Sequence, residues 1–314
     1  MIDKDGFLCY TKEKSVTEDL MQYLRSFSLP TEEEELDYAF SSKKLDMACY
    51  NRGTAYPFQI FPFKAFSEIT FEPITIFYGG NGSGKSTLLN IIAEKLRLDR
   101  TARFNKTPLL EDYLGYCSWE SYNGLKTMPE GSAIITSDGV FDFLLDCRAI
   151  NEGVANERDA LFAEYYLKKG ETVKLRSLAD YEALKEQNAA RRTSVSRYAA
   201  DRMTDVELFG KSNGESAFHY FTEKIGEYAL YLLDEPENSL SASLQAELAR
   251  FLEDSVRFYG CQLVIATHSP FLLSMKGAKI YDLDSSPVTE KPWFTLPNMR
   301  AYYEMFSKHA SKFE

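Results

Sequence analysis

Gly79-Gly80-Asn81-Gly82-Ser83-Gly84-Lys85-Ser86-Thr87 is the stretch that decides the fold. It is preceded by Ile74-Thr75-Ile76-Phe77-Tyr78, a run of β-branched and aromatic residues, and followed by Leu88, Leu89, Ile91, Ile92 and Leu96 at helical spacing. Strand, glycine loop and helix are therefore expected in that order. Residues 79–86 fit G-x-x-x-x-G-K-S, a pattern in which glycines let backbone N–H groups curl around phosphates while the next helix aims its positive end at them. In that reading Lys85 reaches the β- and γ-phosphates, the Ser86 hydroxyl ligates magnesium, and Thr87 adds an α-phosphate contact. A chance glycine turn is the competing reading, and the correct flanking pattern weighs against it.

Downstream, Ala229-Leu230-Tyr231-Leu232-Leu233 reads as a buried strand that ends in Asp234-Glu235-Pro236. Two carboxylates there divide the work: Asp234 toward the metal, Glu235 as the base that polarises an attacking water. Gln262-Leu263-Val264-Ile265-Ala266 gives a further strand, and His268 just beyond it can donate to a γ-phosphate oxygen or be merely structural. The intervening Leu244, Leu248, Phe251, Leu252 and Val256 form a helix closed by Gly260, and Lys279-Ile280-Tyr281 adds another strand. This βαβ rhythm predicts a largely parallel sheet covered on both faces.

Upstream, Phe58–Phe63 and Ile69-Thr70-Phe71 read as two strands before the loop's own. Ser15-Val16-Thr17-Glu18 has the form of a capping box, opening a helix with Leu20, Leu24 and Phe27 on one face and Pro30 at its end. The acidic run Glu32–Glu35 is expected as a solvated face or loop. Residues 150–209 read as a helical insertion, so the expected organisation is an extension over 1–55 and a main domain over 56–314.

Composition narrows the classes. With 44% hydrophobic and 26% charged residues in a 314-residue chain, a folded core is expected and a fibrous or disordered protein is excluded. No apolar run approaches the roughly 18–20 residues of a membrane-spanning helix, and Met1-Ile2-Asp3-Lys4-Asp5 does not read as a signal peptide, so the cytoplasm is the expected compartment. Five dispersed cysteines without a Cys-x-x-Cys pair speak against a disulfide framework or a zinc site. A net charge of −11 disfavours non-specific attraction to nucleic acid. Arg191, Arg192, Arg197 and Arg202 cluster in the insertion, but only Arg191 and Arg202 share a helical face, and residues 151–211 hold 11 basic and 11 acidic residues. A solvated helix is favoured over a nucleic-acid groove, and nucleic acid as a partner is not evident.

Taken together, the loop, the acidic pair and His268 resemble the ABC-type ATPases, above all the soluble class that includes SMC proteins, DNA-repair ATPases and stand-alone bacterial ATPases of phage-defence operons. The likeness spans about residues 56–285. It implies an α/β fold, a P-loop NTPase of ABC type with a largely parallel central sheet, an N-terminal antiparallel β segment and a helical insertion. It also implies ATP and Mg²⁺ as ligands, head-to-tail dimerisation around ATP, and a separate effector protein. The family's signature loop, which contacts the nucleotide of the opposite subunit, matches Lys211-Ser212-Asn213-Gly214-Glu215-Ser216. Ser212 supplies the hydroxyl and Gly214 the close approach, although a plain helix start would look the same. Glu237-Asn238-Ser239-Leu240 stands where the family's seam-crossing loop lies, with Ser239 and Ser241 equally readable as helix caps. The magnesium-sensing glutamine has no clear counterpart, Thr136-Ser137-Asp138 being the nearest, and Tyr56, Phe58, Phe61 and Phe63 all compete for the adenine contact. Alternatives are a transporter cassette and a nucleotide-sensing switch without turnover, the latter disfavoured by Glu235.

Overall fold

The computed structural model describes residues 21–42, 44, 55–170, 194–200 and 213–313. Ten strands are numbered here in chain order: β1 Leu24–Ser28, β2 Glu68–Thr70, β3 Ile74–Tyr78, β4 Asp99–Arg100, β5 Ser118–Ser121, β6 Ala133–Thr136, β7 Leu230–Asp234, β8 Gln262–Thr267, β9 Lys279–Asp282 and β10 Thr289–Glu290. Seven form one sheet in the order β10-β9-β3-β8-β7-β6-β4, and three form a second in the order β2-β1-β5. In the larger sheet β3 runs parallel to both β8 and β9, and β7 runs parallel to β8. Every residue of β3, β7 and β8 is buried, which is why these runs read as continuously apolar rather than alternating. The sequence expectation of a largely parallel α/β sheet with an antiparallel β segment holds.

Two local expectations fail. Residues 24–28 form β1, antiparallel to β2 and β5, and not the end of a helix; the Ser15–Leu20 part of that expectation lies outside the described residues. Leu24 and Phe27 satisfied a helical spacing, yet both are fully buried in the core with Phe61, Phe77 and Leu88, and the cross-strand partners that decide the matter lie far along the chain. Residues 58–63 are not a strand either: turns lead into a short 3₁₀ helix at Pro62–Lys64, with Gln59 at φ 66° and Ala65 at φ 48°. Two prolines and two left-handed residues break any extended ladder, while Phe58 and Phe61 still bury their rings and so imitate a strand in composition.

The acidic run opens a helix, Glu32–Ser41, whose Thr31 and Glu34 form a reciprocal capping box and whose first-turn acids suit the positive helix end. Glu32, Glu33 and Glu34 are exposed as expected, but Glu35 is buried. Its Oε2 accepts from the Gln59 N–H at 2.6 Å and its Oε1 has no partner. Burial pushes the Glu35 carboxyl up from 4.5 to about 7, the Gln59 bond opposing. Between those values the native chain holds a proton that the unfolded chain has released. The stability this group contributes is therefore full below pH 4.5 and is lost as the pH rises toward about 7. Glu35→Gln keeps the acceptor for Gln59 and removes the ionisation, so it should stabilise the protein at pH 8 by on the order of 2 kcal/mol and change little at pH 4.5. Chemical denaturation at the two pH values checks this, and an unchanged pH slope would reject it.

The chain divides into two compact units, one of residues 1–135, 224–237 and 245–314, the other of 136–223 and 238–244. In the second, the helix Ser137–Gly170 dominates, with Val195 of the helix Val195–Ala200 packed against Tyr165. Of the expected basic cluster, Arg197 is exposed, while Arg191, Arg192 and Arg202 fall outside the described residues. Cys117, Cys147 and Cys261 are buried free thiols, as expected of the described cysteines.

Candidate functional site

β3 delivers the glycine loop to the end of the sheet, and the helix Lys85–Leu96 starts directly from it. Gly82 and Gly84 take φ values of 80° and 100°, a left-handed backbone that a side chain resists, and a Cβ on Gly79 would lie 2.5 Å from Ser83 Oγ. A cavity of about 490 Å³ is lined by Ile60, residues 81–87 and Glu235. Lys85 is buried, with Nζ donating to the Gly79 carbonyl at 2.7 Å and the Gly80 carbonyl at 3.1 Å, and lying 3.5 Å from Glu235 Oε1. The expected loop residues and the expected base thus share one cavity wall.

The acidic strand end reaches the same place. Ser86 Oγ donates to Asp234 Oδ1 at 3.0 Å. Burial pushes the Asp234 carboxyl up to about 6, with Glu235 and Glu237 adding to the rise and the Ser86 bond and Lys85 opposing it. Glu235 is held at φ 48°, outside the conformations a glutamate prefers, and its N–H donates to the Ala266 carbonyl at 2.9 Å. Strain of that kind at a carboxylate facing a cavity is what a functional constraint leaves behind. Among the described residues no cluster of three or more His, Cys, Asp or Glu could hold a metal by itself. One hydroxyl and one carboxylate are nonetheless the right set for Mg²⁺, which completes its shell from phosphate oxygens and water, so the residues present fit that ion.

His268 follows β8 but does not line the cavity. What orders it is Glu237, the first residue of the segment expected to be the seam loop. Glu237 Oε1 accepts from Thr267 Oγ1 at 2.6 Å, from the His268 N–H at 2.9 Å and from the Ser269 N–H at 3.2 Å. Ser269 Oγ donates in turn to Gln245 Oε1. A buried acid three residues from Asp234 was the available signal, though its partners are remote in sequence.

Of the upstream aromatics, Tyr56 donates its hydroxyl to Thr87 Oγ1 at 3.3 Å, and the Phe61 ring lies against Gly84. Phe58 and Phe61 are buried in the core and Phe63 is exposed.

Ser212 lies outside the described residues, as does Lys211. Gly214 is the second residue of the helix Asn213–Lys224, and a Cβ there would meet Leu244 Cδ1 at 2.9 Å and the Ser239 carbonyl at 3.3 Å. A side chain at this position would require Leu244 to shift and the Ser239 carbonyl to give by a few tenths of an ångström. Ser241 caps the helix Ala242–Phe258 through the Leu244 N–H, whereas Ser239 takes φ 70° and does not cap it. Thr136, Ser137 and Asp138 form the junction from β6 into the long helix.

Residues 213–274 match the family described as "AAA domain, putative AbiEii toxin, Type IV TA system". That stretch contains Gly214, Asp234, Glu235 and His268. Solved structures similar to the chain include an SMC head domain from Thermotoga maritima, 15% identical, with a TM-score of 0.37 over 86% of this chain and 98% of that one. Another is the Smc head domain with an extended coiled coil bound to the C-terminal domain of ScpA, derived from Pyrococcus furiosus, 14% identical, with a TM-score of 0.40 over 91% and 100% of the two chains. A third is "an inward-facing conformation of a putative metal-chelate type ABC transporter", 18% identical, with a TM-score of 0.34 over 73% and 76%. At those scores the likenesses add nothing to the sheet and loop geometry. No curated protein matches the chain. Loop, sheet and acidic strand end together make a P-loop nucleotide-binding fold, similar over residues 213–274 to that AAA family.

Proposed function

We propose that the chain binds ATP with Mg²⁺ and hydrolyses it, and that it does so as a head-to-tail dimer that gates a separate effector. The observation that carries this reading is the meeting of Ser86 and Asp234 at 3.0 Å beside a cavity that Glu235 and Lys85 share. Loop N–H groups and the start of the helix at Lys85 favour a polyphosphate, and Lys85 would exchange its two carbonyl partners for β- and γ-phosphate oxygens. Ser86 and Asp234 would hold the Mg²⁺, which neutralises charge on the phosphate oxygens. Glu235 would take the proton of the attacking water as its oxygen bonds to the γ-phosphorus and the bond to ADP breaks. His268, held through its backbone by Glu237, is suited to sensing the γ-phosphate from the neighbouring strand end. Tyr56 is suited to the nucleoside end of the cavity through its contact with Thr87.

Gly214 and, by the motif, Ser212 are the residues proposed to cap the nucleotide of a second copy. Gly214 stands at the start of its helix, where its lack of a side chain suits the close approach of a nucleotide. No helix among the described residues is long and apolar enough to cross a membrane. The proposed setting is phage defence or nucleic-acid maintenance in the cytoplasm, with the effector as a distinct chain. Phosphate release from ATP by the purified chain with Mg²⁺ tests the chemistry. A rate no higher than that of a Lys85→Ala control would leave only a nucleotide-binding switch.

A further inference from the structure

The phosphate loop is gripped by two side chains from outside residues 79–87. Lys64 ends the short helix Pro62–Lys64, and its Nζ donates to the Ser83 carbonyl and to the Leu283 carbonyl, each at 2.6 Å. Asp284 follows β9, and its Oδ2 accepts from the Gly80 N–H at 2.8 Å. We propose that Lys64 and Asp284 are positioning residues of the phosphate loop, setting the orientation of its peptide planes for the polyphosphate. This rests on the nucleotide-site reading above.

The reason lies in the planarity of the peptide. In a trans peptide the C=O and the following N–H point to opposite edges of one plane, so fixing either end fixes the other. With the Ser83 carbonyl drawn to Lys64, the Gly84 N–H must face the other way, off the Lys64 side of the loop. The Gly79–Gly80 plane is held at both edges, its carbonyl by Lys85 and its N–H by Asp284. Glycine backbones are otherwise the most freely rotating in the chain, and a loop containing Gly79, Gly80, Gly82 and Gly84 must be ordered by something before its N–H groups can converge on an anion.

The grip is itself anchored. The Val288 N–H donates to the Lys64 carbonyl at 2.9 Å, Ser286 Oγ donates to the Phe63 carbonyl at 2.9 Å, and the Leu283 N–H donates to the Tyr78 carbonyl at 2.8 Å. The Asp284 N–H donates to Asp282 Oδ1, and Lys291 pairs with Asp282 at 2.6 Å. Turn 62–65, the end of β3 and the 282–291 hairpin thus form one hydrogen-bonded piece against which the loop rests. A carboxylate beside a polyphosphate site repels the ligand, so Asp284 must contribute through the geometry of its bond rather than through its charge. That distinction gives the test its sign.

Calorimetric titration of the full chain with ATP and with ADP is the measurement, alongside unfolding of each nucleotide-free variant. Lys64→Met and Asp284→Ala should weaken both nucleotides, by roughly ten- to a hundredfold, as expected for losing a bond to a charged group. Asp284→Asn retains an oxygen acceptor for the Gly80 N–H and removes the negative charge, and should bind at least as tightly as the native chain. Lys64→Gln, able to reach one of the two carbonyls, should fall between native and Lys64→Met, and it decides the lysine's role if the methionine variant does not unfold cooperatively. Native affinity in Lys64→Met and Asp284→Ala, with binding lost in Lys85→Ala, would overturn the positioning role alone. Tighter binding in both Asp284 variants would also overturn it, leaving a charge effect only. A native chain that binds neither nucleotide would instead reject the site reading.

Discussion

Lys85→Ala should severely weaken ATP binding and leave the circular dichroism spectrum unchanged. Lys85 is the one charged residue between Gly79 and Thr87, and its ammonium is buried against the Gly79 and Gly80 carbonyls and Glu235. Truncating one member of a buried, hydrogen-bonded charge pair costs roughly 2–5 kcal/mol in a complex, which corresponds to a loss of about thirty- to several-thousandfold in affinity. The fold survives because the sheet is stabilised by β3, β7 and β8, whose buried side chains do not depend on the ammonium. Calorimetry decides the outcome: undiminished affinity for ATP would reject the phosphate-loop assignment altogether.

The second large effect is in turnover. Glu235→Gln preserves the shape of the side chain and its hydrogen-bonding reach but removes the base, so ATP hydrolysis should fall by roughly 10²–10⁴-fold while ATP still binds. Because the nucleotide is proposed to join two copies, the slow variant should accumulate as an ATP-bound dimer, visible by light scattering with Mg²⁺. Ser212→Arg should do the reverse, binding ATP through Lys85 and Ser86 as a monomer. A Glu235→Gln protein that turns over ATP at the native rate would remove Glu235 from the chemistry, and one that stays monomeric would refute the dimer.

What the sequence made legible was local or periodic. The glycine loop, β3, β7 and β8 carry their own signatures, a turn requirement at Gly82 and Gly84 and unbroken burial along each strand, and the Asp234–Glu235 pair follows from where β7 must end. Misreadings came where the deciding contact is distant. β1 imitates a helix face until β2 and β5 pair with it, and residues 58–63 carry a strand's composition but Pro57, Pro62, Gln59 and Ala65 give it turns. Glu35 sat in a charged run whose other members are exposed, with nothing to mark it as the one that turns inward toward Gln59. Glu237, Lys64 and Asp284 are ordinary residues in the chain, and their purpose resides in partners 19 to 219 positions away.

The order of the larger sheet also sets a timetable for the protein's birth. β3, which carries the loop, is flanked by β8 and β9, so both of its neighbours begin at Gln262 or later, although β3 itself ends at Tyr78. On a ribosome adding roughly 5–20 residues per second, the interval between them is roughly ten to forty seconds. For all of that time a strand whose every residue is destined for burial has two unsatisfied edges, the state in which nascent chains stick to one another. Of the two side chains that grip the loop, Lys64 precedes β3 in the chain and Asp284 follows β9, so the grip is complete only after both partner strands of β3 have been made. Binding at full strength therefore waits for residue 284, and a cell making this chain must shelter β3 until β8 and β9 have been made.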